Sequence, residues 1–558
     1  MSKGRICCLA LLVAGVLLAI TIAVLILALP KCAPRSYPHA AVAADTGVCS
    51  DIGRDILQRN GSAVDAAIAA LVCTSVLNPQ SMGLGGGVIF TIYNATTEEV
   101  MVINARETAP ASISQDWLTK CKNGSFPVGS QWIAVPGELR GYEEAHRRYG
   151  RLPWKSLFEP TIELLEKGIR TPEVLSSFLN FWALQHDLKQ SSLCKLFCKN
   201  DTVLQAGDVF EWPALQSTLK AVAEKGAQEF YEGKIAQNLV TDIKRESGVL
   251  TLRDLKNFKA EVIQPLKISL GKYTMYSPPP PAGGAVLSFI LNILKEFKFT
   301  PESMKSTSRK IETYHRIAEA MKFGNGQKPK LEDPQFSDID QEQIKELLSS
   351  SFANRVRMQI NERGDHLGSF YNLSQPGSVS YGTSHVSVLA EDGSAVSVTS
   401  TINYPFGSMV YSPTTGIILN NELQDFCRKS RNKITAGERP PSAMSPSILI
   451  SKDDHSMLVI GGSGGELIIS ATALAIMNKL WFGDDLEHAI SRPILHAARN
   501  NRIQFETGFD EEVKRGLLEK GHQEMKTQML NVVQGISKEG RCIFAYSDQR
   551  KRGSAAGY

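Results

Sequence analysis

Residues 384–403 read SHVSVLAEDGSAVSVTSTIN and carry the clearest strand pattern of the chain. Small or polar residues alternate with apolar ones on both sides of the turn sequence EDGS, and a period of two is typical of a strand. An Asp-Gly pair between two such runs favours a tight turn. The stretch therefore predicts a β-hairpin.

The register of this hairpin follows from its turn. If the turn is centred on the Asp-Gly pair, Thr383 lies opposite Ile402, and Thr401 and Asn403 become its cross-strand neighbours. We therefore expect several hydroxyl and amide groups to gather at one end of the hairpin.

Other segments combine glycine or proline runs with regular structure. Residues 81–94, SMGLGGGVIFTIYN, predict a glycine run that lets another backbone pass close by, followed by a strand. A phosphate loop would need the ending Gly-Lys-Ser or Gly-Lys-Thr, which this run lacks. Residues 457–481 predict a strand, a glycine-rich turn suited to an anion or oxyanion, and a helix. Residues 276–294 predict a proline run that leads into a helix, and residues 47–77 predict two helices.

The composition excludes several classes of function. The chain has 558 residues, 43% of them hydrophobic and 21% charged, as in a globular protein with a substantial core. Its formal net charge of +4 is nearly balanced, which favours neither a nucleic-acid nor an acidic partner. The histidines show no metal-ligand spacing, so no metal site is predicted.

The N-terminus predicts a membrane anchor. Residues 6–29 are almost continuously apolar. As a helix they would cover about 36 Å, enough for a hydrocarbon core of about 30 Å. A cleaved signal peptide is the alternative, but its apolar region is shorter, at about 7–15 residues. Cys7 and Cys8 at the membrane face are either palmitoylated or simply lipid-facing thiols. Positive charge flanks both ends, so the orientation is chosen from the cysteines and glycosylation sequences that follow.

The remaining cysteines and the glycosylation sequences indicate an exported body. Cys194 and Cys198 are close enough for a local disulfide, and Cys49 and Cys73 lie on adjacent amphipathic stretches. Zinc would need further ligands at suitable spacing. Acceptor sequences for N-glycosylation occur at Asn60, Asn94, Asn123, Asn200 and Asn372. With the anchor, they predict a single-pass type II protein of the plasma membrane with its body outside the cell.

Several motifs together resemble those of gamma-glutamyl transferases. They are INARE at residues 103–107, SMGLGGG at 81–87, VPGELRGYE at 135–143, GTSHVSVLAEDGSAVSVTSTIN at 382–403, GIILNNELQDF at 416–426, PPSAMSPSI at 440–448, GGSGGE at 461–466 and the terminal AGY. The resemblance covers nearly the whole chain, in the order of the family. SPPPPAGGAVLSFILNIL (residues 277–294) and NPQSMGLGGGVIF (residues 78–90) are most similar to the branch that acts on leukotriene C4.

The resemblance implies an α+β fold, a four-layer αββα sandwich of the N-terminal-nucleophile hydrolase type. It also implies one precursor that cuts itself between Gly382 and Thr383. With the anchor, the expected organisation is a cytosolic tail (1–5), a transmembrane helix (6–29), a stalk (30–38), a large subunit (39–382) and a small catalytic subunit (383–558). The two cleavage products are expected to stay together as a heterodimer.

The implied chemistry is acyl transfer by the freed threonine. A hydroxyl is a weak nucleophile until a base takes its proton. The α-amine of Thr383, with a pKa of about 7.7–8.0, can be that base. By resemblance, Thr401 supports the nucleophile, and the amides of Gly464 and Gly465 form the oxyanion hole. On their own, these residues would read as an ordinary strand start and a tight turn. No metal or organic cofactor is implied.

The implied substrate pocket holds a zwitterion, the γ-glutamyl head group. Arg106 is expected to bind its carboxylate, assisted by Ser442, because a guanidinium makes paired hydrogen bonds. Glu422 and Asp425 are expected to face its ammonium, with Asn403 beside them. Without the resemblance, a solvated acidic face would be the better interpretation of these acids.

Two departures from the family pattern concern the pocket. Ala443 stands where the family often has a second serine, so a hydrogen bond worth about 0.5–1.5 kcal/mol is missing. The loop between Phe426 and Pro441 is short and basic beside the family's longer lid, which affects the balance of hydrolysis and transfer.

The resemblance implies glutathione, its S-conjugates and leukotriene C4 as substrates, with water, amino acids or peptides as acceptors. Two alternatives remain: a related amidase with another acyl specificity, such as a cephalosporin-type acylase, and an uncleaved cell-surface scaffold without activity.

Overall fold

The structure is a computed structural model that describes residues 15, 32, 35–114, 116–121, 126–200, 202–330, 332–338, 341–373, 382–428, 433–526 and 531–558. Its α-helices are α1 (Gly47–Gln58), α2 (Ala63–Leu77), α3 (Glu138–Tyr149), α4 (Glu159–Glu166), α5 (Glu173–Leu179), α6 (Trp182–Gln190), α7 (Cys194–Phe197), α8 (Pro213–Lys225), α9 (Gln228–Tyr231), α10 (Lys234–Arg245), α11 (Leu252–Asn257), α12 (Gly284–Lys295), α13 (Thr307–Gln327), α14 (Gln341–Leu347), α15 (Ser350–Arg357), α16 (Leu467–Leu480), α17 (Leu486–Ser491) and α18 (Glu511–Glu519).

The strands are β1 (Ala41–Ala44), β2 (Gly87–Asn94), β3 (Glu99–Ala105), β4 (Ile169–Arg170), β5 (Cys198–Lys199), β6 (Thr202–Val203), β7 (Val209–Phe210), β8 (Glu261–Ile263), β9 (Leu266–Leu270), β10 (Tyr273–Ser277), β11 (Ser384–Leu389), β12 (Ala395–Thr401), β13 (Ser447–Ser451), β14 (Met457–Ser463), β15 (Leu495–Ala497), β16 (Ile503–Phe505), β17 (Val532–Glu539), β18 (Cys542–Ser547) and β19 (Ser554–Gly557). One large sheet has the order β19-β1-β11-β12-β2-β3-β8, and the other has the order β18-β17-β14-β13-β10-β9.

The two large sheets face each other between two layers of helices. Leu389 and Val459, one from each sheet, belong to a buried cluster between the sheets. On the outer face of the first sheet, Val386 packs in the same cluster as residues of the fully buried helix α2. On the outer face of the second sheet, Ile460 packs with α12 and α16. The observed layers are therefore helix, sheet, sheet and helix, as the resemblance implied.

The hairpin forms as predicted, but its register differs by one residue. Ser384 pairs with Ser400, so the next position places Thr383 opposite Thr401 rather than Ile402. The amide of Ala390 donates to the carbonyl of Ser394, and the loop between them holds three residues instead of two. Gly393, with φ of 86°, provides the left-handed residue that such a loop requires. The predicted register was wrong because the Asp-Gly pair belongs to a three-residue turn.

The glycine run at residues 81–87 does bring backbones together. A Cβ at Gly86 would lie 2.0 Å from the carbonyl oxygen of Thr401, and one at Gly85 would lie 2.1 Å from that of Ile418. These contacts leave no room for a side chain. The run therefore lets the backbone at the end of β12 lie in close contact with the residues that precede β2.

Four disulfides join described residues. Cys49–Cys73 and Cys194–Cys198 are present as predicted. The sequence pattern did not indicate the other two, Cys32–Cys542 and Cys121–Cys427, which connect distant parts of the chain. Tyr37, in the predicted stalk, also donates its amide to the carbonyl of Ile543 at 2.7 Å. This part of the predicted stalk therefore packs on strand β18.

The predicted anchor, residues 6–29, lies outside the described residues apart from Gly15. In the described part of the chain, no helix is both long and apolar enough to cross a bilayer. Of the glycosylation sequences, Asn60, Asn200 and Asn372 are exposed and Asn94 is half-buried, whereas Asn123 falls in an undescribed stretch.

Candidate active site

Thr383 lies buried immediately before β11, where the hairpin's open end meets the glycine run. Its side chain is turned toward Thr401, and the two hydroxyl oxygens are 3.2 Å apart. Its φ of 142° lies in a region that β-branched residues rarely adopt, which strains the backbone at this position. Gly382 precedes it, and a Cβ there would lie 2.2 Å from the carbonyl oxygen of Asn403. Thr383 thus has a strained backbone conformation, and neighbouring backbone packs closely around it.

Lys551 is a buried cation beside Thr383 that the sequence analysis missed. Its Nζ donates to the carbonyl oxygen of Thr383 at 2.6 Å and lies 2.9 Å from the carboxylate of Asp45. It also donates to Ser463 Oγ at 3.1 Å. No motif singled out this lysine, because its partners are distant in sequence. It connects the candidate nucleophile with the end of β14.

Gly464 and Gly465 form the turn that follows Ser463. Both have positive φ, 117° and 58°, which a non-glycine residue tolerates poorly. Helix α16 begins two residues later. Within the described residues, the N–H groups of this glycine pair donate to no protein acceptor. The pair therefore offers backbone donors next to a residue that shares Lys551 with Thr383, as an oxyanion hole requires.

Arg106 is almost completely buried and contacts both predicted acids directly. Its Nη1 lies 2.8 Å from Glu422 Oε2, and its Nη2 lies 2.7 Å from Asp425 Oδ2. We expected this cation and these acids at opposite ends of a ligand. The structure instead brings them into one ion-pair cluster, because buried charges lower their energy by pairing.

Burial raises the pKa of two carboxyl groups in this cluster. It raises the pKa of Glu422 well above its ordinary value, although Arg106 opposes the shift. Burial likewise raises the pKa of Glu107, which the sequence analysis had not assigned and which lies 3.6 Å from Arg106. An additional cation, such as a substrate ammonium, would favour the ionised form of these acids.

Asn403 and Asn421 connect the hairpin to the acidic cluster. The amide of Asn403 donates to Thr401 Oγ1 at 2.8 Å, and its side chain donates to the carbonyl of Asn421 at 3.3 Å. Asn403 has φ of 76°, which asparagine tolerates better than most residues. Asn421 directly precedes Glu422. Asn421, which no sequence motif singled out as a site residue, also accepts a hydrogen bond on its side chain from the amide of Tyr404.

Ser442 and Ala443 directly follow two prolines that contact Arg106. The guanidinium of Arg106 donates to the carbonyl oxygens of Pro440 and Pro441 at 3.3 Å. The proline run packs on the same loop, since Ser442 donates its amide to Pro281. Ser442 Oγ accepts from the amide of Met444, and Ala443 provides no hydroxyl.

The short loop between Phe426 and Pro441 is fastened at both ends. Cys427 at its start is bonded to Cys121. Near its end, Gly437 and Glu438 exchange backbone hydrogen bonds with Ala109. Residues 429–432 are not described. The loop is thus attached on both sides to the segment that follows Arg106.

A separate buried cluster combines potential metal ligands. One ligand atom each from His315, Glu319 and His522 lies within 4.8 Å of the others. The Nζ of Lys322, however, is 3.0 Å from His522 Nδ1 and 3.2 Å from Glu319 Oε1. An ammonium at this position repels a metal cation, so the residues fit an internal ion-pair network better than a metal site.

The chain matches a family model and is similar to known proteins in sequence and in structure. The family model described as gamma-glutamyltranspeptidase matches residues 49–558. Glutathione hydrolase 5 proenzyme of Rattus norvegicus is 53% identical over 573 residues, covering 100% of both chains. The Homo sapiens protein of that name is 53% identical over 551 residues, covering 94% of each chain. Among solved structures, cephalosporin acylase from Bacillus halodurans has a TM-score of 0.84 over 95% of this chain and 99% of its own, at 24% identity. At that identity the likeness concerns the fold alone.

Proposed function

Since the chain belongs to the gamma-glutamyltranspeptidase family, and is thus a self-processing gamma-glutamyl hydrolase and transferase with an N-terminal nucleophile, we propose that Thr383 is that nucleophile. The observation that carries the proposal is the buried Thr383, strained at φ of 142° with its hydroxyl 3.2 Å from that of Thr401. In processing, Thr383 Oγ attacks the carbonyl carbon of Gly382, the peptide becomes an ester, and water hydrolyses it. Release of the backbone strain favours this step.

The mature enzyme then works in two steps. The free amine of Thr383 takes the hydroxyl proton as Oγ attacks the γ-carbonyl of the substrate. The amides of Gly464 and Gly465 stabilise the resulting oxyanion. The amine passes its proton to the leaving nitrogen, the C–N bond breaks, and a γ-glutamyl ester remains on Thr383. Water or the amine of an acceptor amino acid or peptide attacks this ester, and the hydroxyl of Thr383 is restored.

The cluster around Arg106 holds the γ-glutamyl head group in this proposal. The substrate carboxylate takes hydrogen bonds from Arg106 and Ser442, and the substrate ammonium interacts with Glu422, Asp425 and Asn403. The existing ion pairs support this arrangement, because a zwitterion can exchange partners with them without leaving a buried charge unpaired. Ala443 removes one donor to the carboxylate, so we expect weaker binding but unchanged chemistry.

We further propose that glutathione, its S-conjugates and leukotriene C4 are substrates. The relatives' name, glutathione hydrolase 5 proenzyme, supports the first of these. The disulfides agree with an exported body, and residues 6–29 are proposed to anchor it in the plasma membrane with the N-terminus in the cytosol. The cleavage products remain a heterodimer.

N-terminal sequencing of the smaller fragment, separated under reducing conditions, tests the nucleophile. We expect the sequence to begin TSHVS. Thr383→Ala should remain one uncut, inactive chain, whereas Thr383→Ser should still be cut. A small fragment that begins at another residue, or a cut Thr383→Ala protein, would refute the assignment.

A pair of anilide substrates tests the acyl specificity. We expect release from the γ-glutamyl anilide and little from the glutaryl anilide, which lacks the ammonium for Glu422 and Asp425. Preference for the glutaryl compound would favour an acylase instead. An uncut protein without either activity would favour the scaffold.

A further inference from the structure

A cavity of about 350 Å³ lies beside Lys551 and outside the Arg106 cluster. Its walls are mostly apolar, and Phe126, Val174, Phe178, Phe181 and Pro405 contribute to them. Volumes of this size are usual for small-molecule sites. Neither the processing step nor the binding of the γ-glutamyl head group places a ligand in this cavity.

Two contacts connect the cavity with the reaction centre. Lys551 lines it and donates its Nζ to the carbonyl oxygen of Thr383 at 2.6 Å. On another side, Phe126 makes an edge contact with Tyr404, with ring centroids 6.0 Å apart. A Cβ on Gly382 would lie 3.0 Å from the carbonyl carbon of Tyr404. Lys551 and Tyr404 therefore link the cavity to Thr383 and to the Gly382–Thr383 peptide.

The charged groups of the cavity are already paired. The guanidinium of Arg550 contacts the carboxylates of Glu506 and Asp548. Arg552 pairs with Glu173, and both side chains are more than half exposed at the rim. An ionic ligand would have to break these pairs, whereas an apolar ligand gains from leaving water without breaking any.

We propose that this cavity binds the apolar substituent on the sulfur of a glutathione thioether, while the γ-glutamyl group of the same molecule occupies the Arg106 cluster. This inference rests on the proposed function. In such a thioether the sulfur is only two carbon atoms from the leaving nitrogen, so its substituent must lie close to Thr383. Trp182, 82% exposed and packed on Phe181 with centroids 5.9 Å apart, extends the apolar surface beyond the rim for longer substituents.

A series of substrates with lengthening chains tests the subsite. The probes are glutathione and its S-methyl, S-butyl, S-hexyl and S-octyl derivatives, each assayed for release of glutamate. For the wild-type protein we expect kcat/KM to rise about two- to fourfold per methylene until the cavity is filled.

Ser177→Glu places a carboxylate in the cavity at an exposed position of α5. Gln190→Glu is the matched control, because it adds the same charge at the exposed end of the next helix, α6, outside the cavity. We expect Ser177→Glu to lower the ratio of kcat/KM for S-octylglutathione to that for glutathione at least tenfold, and Gln190→Glu to keep it. Phe178→Ala, which removes an apolar wall without adding charge, should lower the ratio as well.

The outcomes separate this inference from the proposed function. Absence of glutamate release from every compound would refute the function. Release from glutathione with no dependence on chain length would refute the subsite alone. A chain-length dependence that persists unchanged in both Ser177→Glu and Phe178→Ala would assign the substituent to another surface, and would also overturn the subsite.

Discussion

Lys551 forms a buried ion pair with Asp45 and also donates a hydrogen bond to the carbonyl oxygen of Thr383, the candidate nucleophile. We expect Lys551→Met to slow both processing and turnover, because the carbonyl of Thr383 loses its cationic partner. The same change removes the cation from the buried Asp45 carboxylate and leaves it, among the described residues, only the hydrogen bond from Gln534, which costs roughly 3–5 kcal/mol of stability. Thermal unfolding would detect the second effect, and the rates of fragment formation and glutamate release the first.

The double variant Asp45→Asn/Lys551→Met distinguishes positioning from stability. It removes both charges, so most of the melting temperature should return. Slow processing and a low kcat should nevertheless persist. A double variant with wild-type rates would show that Lys551 serves only as the partner of Asp45.

Glu138 provides a prediction about pH. It is buried, accepts hydrogen bonds from Tyr142 and Ser400, and its pKa is raised by burial from 4.5 to about 8. The folded protein thus binds a proton that the unfolded chain has already released, and its stability should fall as pH rises from about 4.5 to about 8. The slope is at most about 1.4 kcal/mol per pH unit.

Melting temperatures at pH 5 and pH 8 measure this effect. Glu138→Gln should lose less stability across the interval than the wild type, since its side chain does not ionise. Glu143→Gln, on the same helix but partly exposed, should behave like the wild type. An unchanged pH dependence in Glu138→Gln would contradict the raised pKa.

The family resemblance named residues of the candidate site, but the sequence did not give their spatial arrangement. Thr383 and Thr401 were both named, yet the sequence pattern gave the wrong partner for Thr383, because a hairpin register depends on turn length. Lys551 could not be found, since its contacts with Asp45, Thr383 and Ser463 come from three distant parts of the chain. Burial, which turns Arg106, Glu422 and Asp425 into one cluster, is likewise a property of the fold rather than of a motif.

At the scale of an element, the glycine run before β2 controls where β12 ends. Gly86→Ala places a methyl group where the carbonyl oxygen of Thr401 lies, 2.0 Å from the new Cβ. Displacement of this strand end by about 1 Å should reduce kcat roughly 100-fold. Steady-state assays of glutamate release measure the loss.

Gly83→Ala is the control within the same run. A Cβ at this position meets no atom within 4 Å, and its φ is not in the left-handed region. We expect wild-type kcat for this variant. Equal losses in both variants would mean that flexibility of the run, rather than close contact at Gly86, supports activity.

Local patterns predicted local elements well. The helices α1 and α2, the hairpin of β11 and β12, and the strand, turn and helix around Gly464 were all expected from spacing and turn residues. The order of strands was beyond such reasoning, because it joins remote segments. The pairing of β1 with β19, for example, connects residues 41–44 with residues 554–557, and no periodicity within either segment specifies it.

At the scale of the whole molecule, two disulfides cross the proposed cleavage point. Cys32–Cys542 and Cys121–Cys427 each join a residue before Thr383 to one after it. We expect the processed protein to migrate as one species on a denaturing gel without reductant and as two with it. Both conditions should give one band for Thr383→Ala.

Cysteine variants identify the links. Cys121→Ser/Cys427→Ser and Cys32→Ser/Cys542→Ser should each leave one bridge and one non-reduced band, and the quadruple variant should release two. Separation of the wild-type fragments without reductant would contradict the pairing of these four cysteines. The control pair Cys194→Ser/Cys198→Ser should not affect the number of bands, because both residues lie in the same fragment.

Strand β1 is paired across the proposed cleavage point. It comes from the first fragment, but its neighbours on both sides, β11 and β19, come from the second. Cutting the backbone therefore increases the number of chains without creating a boundary between folding units. Neither product alone possesses a continuous central sheet, so the precursor must complete its tertiary structure before it is cut, and we expect the two products to unfold together rather than separately.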